Sequence, residues 1–106
     1  MSVTAEGLEF NVLGVGHEFW IAQQGDLAIG VAVVAKESES NIRVLHLEVA
    51  PVRKKEGVGS GLLRAVIENY PLSTVWVTPF EGTGDFYGRL GFVRAGRWEM
   101  KREPTR

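Results

Sequence analysis

The chain has 106 residues, 44% of them hydrophobic and 24% charged, which is enough for one domain with a buried core. Twelve Lys and Arg against 13 Asp and Glu leave a net charge of −1, excluding the basic excess of a general nucleic-acid binder. Without cysteines there are no disulfides, thiolate metal sites or cysteine nucleophiles, and two histidines, His17 and His46, are too few for a histidine-only zinc site.

The N-terminus, MSVTAEGLEF, lacks the basic start and apolar stretch of a signal peptide, and the first dozen residues predict an edge strand. EFWIAQQ (Glu18–Gln24) reads as a strand ending at the turn pair Gly25-Asp26. LAIGVAVVAKE (Leu27–Glu37), rich in β-branched residues, precedes the polar turn SESN, and IRVLHLEVA (Ile42–Ala50) is a third strand. Their short spacers predict an antiparallel meander. Leu62, Leu63, Val66, Ile67 and Tyr70 then recur at helical spacing, in a helix that starts near Val58 or Gly59 and is closed by Pro71. STVWVTPF (Ser73–Phe80) returns to strand chemistry. TGDFYGRLG (Thr83–Gly91) reads as a short helix with Gly91 as its C-terminal glycine. FVRAGRWEMKRE (Phe92–Glu103) predicts a last strand bent at Ala95-Gly96, and KREPTR a frayed tail. Trp20, Trp76 and Trp98 fall within strand patterns, where core or sheet-face packing accounts for them.

No repeat or linker divides residues 1–106, so a single domain is expected. The class is α/β (α+β), a mixed and mostly antiparallel sheet with about two helices. Residues 42–80 should form a right-handed βαβ unit with parallel strands. No apolar run approaches the roughly 20 residues that span a bilayer, so a cytoplasmic protein with no membrane or nucleic-acid partner and no metal is expected.

The stretch APVRKKEGVGSGLL (Ala50–Leu63) carries the chemistry. It places Gly57, Gly59 and Gly61 where a strand hands over to a helix. The first N–H groups of that helix lack intrahelical partners, and its dipole makes this end electropositive. Glycines admit a ligand close to the backbone, Ser60 offers a hydroxyl, and Arg53, Lys54 and Lys55 add charge. Together these would make a phosphate or pyrophosphate cradle. The plainer alternative is a solvated basic loop whose glycines serve only a tight turn and close packing. The nucleotide-triphosphate loop is excluded because no Lys follows the glycines, and the dinucleotide fingerprint fails where Leu62 stands.

LEVAPVRKKEGVGSGLL resembles the acyl-coenzyme A motif of the GNAT acetyltransferase superfamily, [QR]-x-x-G-x-[GA] after a strand ending in apolar-x-Val-x-Pro. Here the motif reads Lys54-Lys55-Glu56-Gly57-Val58-Gly59, with Lys in place of Gln or Arg and Glu56 as an unusual anion. DFYGRLGF (Asp85–Phe92) is similar to the family's FYxxLGF segment, in the right order and at about the right separation. The resemblance covers Ile42 to the C-terminus. It implies acetyl-CoA as co-substrate, with the pyrophosphate on the backbone of Lys55–Ser60 and Lys54 beside the phosphates. The backbone of Leu47 and Val49 would pair with the pantetheine arm as an added strand. It also implies direct attack by a primary amine of a small molecule or peptide, with Tyr87 as the acid that protonates the departing thiolate.

The base stays open. His46 and Glu48, two apart on one strand, share a face and could form a dyad, with Glu48 as base. Strand alternation argues against it, because the parity of Leu47 and Val49 falls on Arg43 and Leu45. A bulge would reset that parity, and a water relay is a further route. Complete family members begin with a strand and two helices that wall the acceptor site. Too few residues precede Glu18 for that, and Asn11–Gly16 does not read as helix. The expectation is a compact member whose missing wall a second subunit could supply, giving a homodimer. An acetyltransferase is the first reading. A non-catalytic acyl-CoA-binding module or subunit is the second, and an unrelated α+β interaction domain the third.

Overall fold

The computed structural model describes the backbone of residues 2–5, 8–13, 17–51 and 57–104, and side chains within the last two ranges. Eight strands form one sheet: β1 (Ser2–Ala5), β2 (Leu8–Leu13), β3 (His17–Gln24), β4 (Leu27–Ser38), β5 (Asn41–Val49), β6 (Thr74–Val77), β7 (Val93–Arg94) and β8 (Met100–Arg102). They lie in the order β1-β2-β3-β4-β5-β6-β8-β7. All neighbours are antiparallel except β5 and β6, which are parallel and joined through α1 (Val58–Asn69). A short α2 (Gly84–Gly88) follows β6. This is the expected mixed sheet with a βαβ unit and two helices.

Four boundaries differ from the sequence reading. In place of one N-terminal edge strand there are two antiparallel ones, β1 and β2. β6 stops at Val77, because β8 pairs only with Val75–Val77 and Pro79 has no N–H to extend a ladder. The bend expected in Phe92–Glu103 is a reversal: Ala95 N–H donates to Glu99 C=O at 3.0 Å, folding β7 back on β8. Lys101 and Arg102 of the expected frayed tail pair with Trp76 and Val75, and Thr74 Oγ1 donates to Glu103 at 2.9 Å.

The core lies on one face of the sheet. Alternation puts Trp20, Ala22, Ala32, Val34, Ile42, Val44, Val75 and Val77 on that face, and Val58, Leu62, Leu63 and Val66 of α1 pack down on it. Each fully buried aliphatic side chain contributes roughly 1.5–3 kcal/mol. The N-terminal turn of α1 sits close enough that Gly30 has no room for a side chain. A Cβ there would lie 3.0 Å from Val58 Cγ1 and 3.3 Å from the Glu48 carbonyl oxygen. The other end of α1 is tied by Tyr70, whose hydroxyl donates to Glu18 Oε2 at 2.6 Å. Glu18 Oε1 accepts from the Trp20 indole at 3.0 Å.

On the opposite sheet face, Trp76 lies between the guanidinium of Arg43 and the ammonium of Lys101, 5.8 and 5.5 Å from its ring centre. Its indole N–H donates to Asn41 Oδ1 at 2.9 Å. Trp20 and Trp76 therefore pack as expected. Trp98 does not: it lies in the loop between β7 and β8 with 69% of its surface exposed.

Gly30→Val should lower stability by about 1–3 kcal/mol through overpacking, at roughly 4–8 °C of Tm per kcal/mol for a domain this size. Thermal unfolding followed by circular dichroism measures it, and an unchanged Tm would refute the tight docking of α1. Burial, then the bond to Glu18, pushes the Tyr70 hydroxyl from 10.0 up to about 12. The folded chain therefore holds a proton that the unfolded chain releases. That contribution is complete below pH 10 and disappears between pH 10 and about 12. Stability of the wild type should fall across that window more steeply than that of Tyr70→Phe, as urea titrations at stepped pH would show.

Candidate active site

A fork in the sheet builds the site. β5 pairs with β4 up to Val49, but with β6 only over Asn41–Val44. The bulge that could reset parity is present: Val33 pairs with His46 and Val34 with Val44, leaving Leu45 as the extra residue of β5. Beyond it Leu47 and Val49 turn to the helix face, in line with Ile42 and Val44. His46 and Glu48 share the other face with Arg43. The reset thus supplies no base on the Leu47 face, because its earlier positions hold core valine and isoleucine.

Past Val44 the β6-facing backbone edge of Leu45–Val49 has no strand partner among the described residues. A cleft of about 440 Å³ opens there, between β5, the start of α1 and α2. Leu47, Val49, Gly57, Gly59 and Ser60 line it, together with His46, Glu48 and Tyr87. Val58 does not: its side chain is fully buried against Gly30, which leaves only its backbone to face a ligand. Lys54, Lys55 and Glu56, with Arg53, lie outside the described residues.

The start of α1 suits an anion. Its N-cap is Gly57 at φ 78°, which has no side chain to occupy the first N–H groups, and the first turn has no acidic residue. Gly61 N–H donates to Gly57 C=O at 2.9 Å, and among the described residues the N–H groups of Val58, Gly59 and Ser60 have no backbone partner. A Cβ at Gly59 would sit 3.4 Å from Phe86 Cζ and 3.6 Å from Val49 Cγ2, so this residue marks the narrow waist between α1 and α2.

Tyr87 is positioned by the way α2 ends. Phe92 N–H donates to Tyr87 C=O and Gly91 N–H to Gly88 C=O, each at 3.1 Å, with Gly91 at φ 91°. This is the paired bonding of a Schellman turn, and its left-handed position favours glycine. The same turn stacks the Tyr87 ring edge-on to Phe92 at 5.5 Å, while Phe86 packs edge-on at 5.0 Å. Arg102 Nε donates to Leu90 C=O at 3.0 Å and fastens the turn to β8. Only 7% of Tyr87 is exposed, and burial pushes its phenol above the ordinary value. No described residue hydrogen-bonds its hydroxyl, yet no sealed side-chain oxygen among the described residues lacks a partner. The hydroxyl therefore reaches open space, and Tyr87 lines the cleft.

His46 Nε2 and Glu48 Oε2 are 3.2 Å apart at the rim, with 46% and 70% of their side chains exposed. The dyad geometry exists in a solvated setting. Sequence reading missed three lining residues, Phe80, Thr83 and Phe86. Phe86 was legible in the DFYGRLGF motif, but Phe80 and Thr83 follow from the course of the β6–α2 loop, which no local pattern announces.

Among the described residues no helix is long and apolar enough to cross a membrane, and no group of three or more His, Asp or Glu could hold a metal. Comparison with curated protein sequences gives no match. Solved structures share the fold. The ribosomal-protein-S18-alanine N-acetyltransferase of Escherichia coli is 18% identical with a TM-score of 0.77, over 89% of this chain and 73% of its own. ElaA from Escherichia coli is 19% identical at a TM-score of 0.74, over 86% and 71%. A GNAT family acetyltransferase from Elizabethkingia anophelis, solved with acetyl-CoA bound, is 18% identical at 0.70, over 83% and 76%. The family model described as acetyltransferase (GNAT) domain matches residues 15–94. With most of its length matched, the chain belongs to the GNAT acetyltransferase family.

Proposed function

We propose that this protein is an N-acetyltransferase that moves an acetyl group from acetyl-CoA to a primary amine of a small molecule or peptide. The observation that carries the reading is convergence: one 440 Å³ cleft is lined by an unpaired strand edge, the start of α1 and Tyr87. The fit to the co-substrate rests on two of these. The N–H groups of Val58, Gly59 and Ser60, without a backbone partner among the described residues, match a pyrophosphate, and the open edge at Leu47 and Val49 offers backbone partners to the amides of a pantetheine arm. Lys54, Lys55 and Glu56 belong to the same proposed loop.

Acetyl-CoA supplies an activated thioester. The amine lone pair forms a bond to the acetyl carbon, the carbon–sulfur bond breaks, and the electron pair leaves on sulfur. Two proton movements complete the balance. Tyr87 donates its phenolic proton to the sulfur, a task open to a phenol because it is protonated at neutral pH with or without the upward push of burial. The His46–Glu48 pair at the rim takes the amine's proton, with Glu48 as the acceptor named from sequence and water as the carrier between them.

Calorimetric titration should show micromolar acetyl-CoA binding that Gly59→Trp abolishes, because the indole would fill the waist between α1 and Phe86. No binding by the folded wild type would remove the co-substrate and the enzyme with it. Tyr87→Phe keeps the ring packing and should lower kcat about a hundredfold with acetyl-CoA affinity unchanged, measured by thiol release over an amine panel. Tight binding with no turnover of any amine would instead mark an acyl-CoA-binding module.

A further inference from the structure

A second, larger cavity lies beside the cleft. It holds about 740 Å³ between the Pro79–Asp85 segment and the β7–β8 hairpin. Pro79–Asp85 is a partition: Phe80 lines both spaces, Thr83 turns to the cleft, and Glu81 and Asp85 turn to the larger cavity. Arg94, Arg97 and Trp98 of the hairpin form the facing wall.

Charge is distributed unevenly across this groove. Its acidic wall is the partition shared with the cleft, and its basic wall is the far side. All four charged groups are exposed, and none of them has an ion-pair partner among the described residues. Trp98 gains nothing from core packing, yet the Arg97 guanidinium stands 5.2 Å over its ring, which holds a cation and an apolar plane together at the groove. A field of this polarity orients a molecule with opposite charges at its ends.

The geometry points to a zwitterionic acceptor, a small primary amine that also carries a free carboxylate. Its ammonium is drawn by Glu81 and Asp85 toward the partition and the cleft behind Phe80. Its carboxylate is held by Arg94 and Arg97, which suit planar anions, and its apolar portion lies on Trp98. This rests on the acetyltransferase reading and names the acceptor class for it. Amino acids and short peptides with a free C-terminus share this chemistry.

The test uses matched pairs: single amino acids and their primary amides, and dipeptides with free and amidated C-termini. Each is assayed for thiol release from acetyl-CoA and titrated by calorimetry into the protein saturated with free coenzyme A, which has no acetyl group to transfer. Free acids should be preferred in kcat/KM by about tenfold or more. The preference should vanish in Arg94→Ala/Arg97→Ala, with acetyl-CoA affinity unchanged. Whichever length shows the larger preference identifies the source. If the double variant unfolds, Arg97→Gln alone should still cut the preference. Equal use of acids and amides, a preference that survives the substitutions, or no binding of any pair would overturn the proposal. Failure to bind acetyl-CoA would overturn the acetyltransferase reading itself.

Discussion

The site depends on one constraint: β5 cannot stay paired on both sides. It is an interior strand over Asn41–Val44 and half an edge beyond, because β6 ends at Val77 while β5 continues to Val49. Unpaired edges are ordinarily a liability in a sheet. Here the edge opens into the cleft rather than toward bulk solvent, and the start of α1 and the Phe86–Tyr87 pair close round it. The Leu45 bulge sits where the fork begins. It lets the strand bury Ile42 and Val44 below the fork and turn Leu47 and Val49 to the same face above it.

Two close approaches hold the walls in place. Gly30 lets the first turn of α1 come down on β4, which sets the height of the helix N-terminus above the fork. The Schellman turn at Gly91 does the equivalent for α2. It fixes Tyr87 through backbone bonds and ring packing, so its position owes nothing to a hydrogen bond at the hydroxyl. Among the described residues that leaves the hydroxyl without a partner, as the proposed proton donation to a ligand requires. Such preorganisation costs little when the core does the holding.

Polar groups are segregated around this frame. Arg43, bonded to Glu37 and Glu99 at 3.0 and 2.6 Å, braces the sheet face away from the helices. Among the described residues, the charges of the groove beyond Phe80 have no such partners. Bracing pairs and unpaired pairs of the same residue types thus lie within one small sheet, and their roles differ by what faces them.

Local chemistry alone determined a good deal. Alternation in β3, β4 and β5, helical spacing from Leu62 to Tyr70, and the glycines at 57, 59 and 91 are short-range signals, and each corresponds to an element in the structure. The two motifs that resemble the GNAT family were legible for the same reason, since each is contiguous and set by backbone geometry. Tertiary structure decided what depends on partners distant in the chain. Whether Val58 meets a ligand or the core depends on Gly30, and the parity of His46 depends on a register shift against β4. The end of β6 depends on β8, the exposure of Trp98 on the reversal at Ala95–Glu99, and the groove on two loops that meet only when the sheet is assembled. Periodicity records which way a residue faces along its own element. It carries no information about which element arrives opposite.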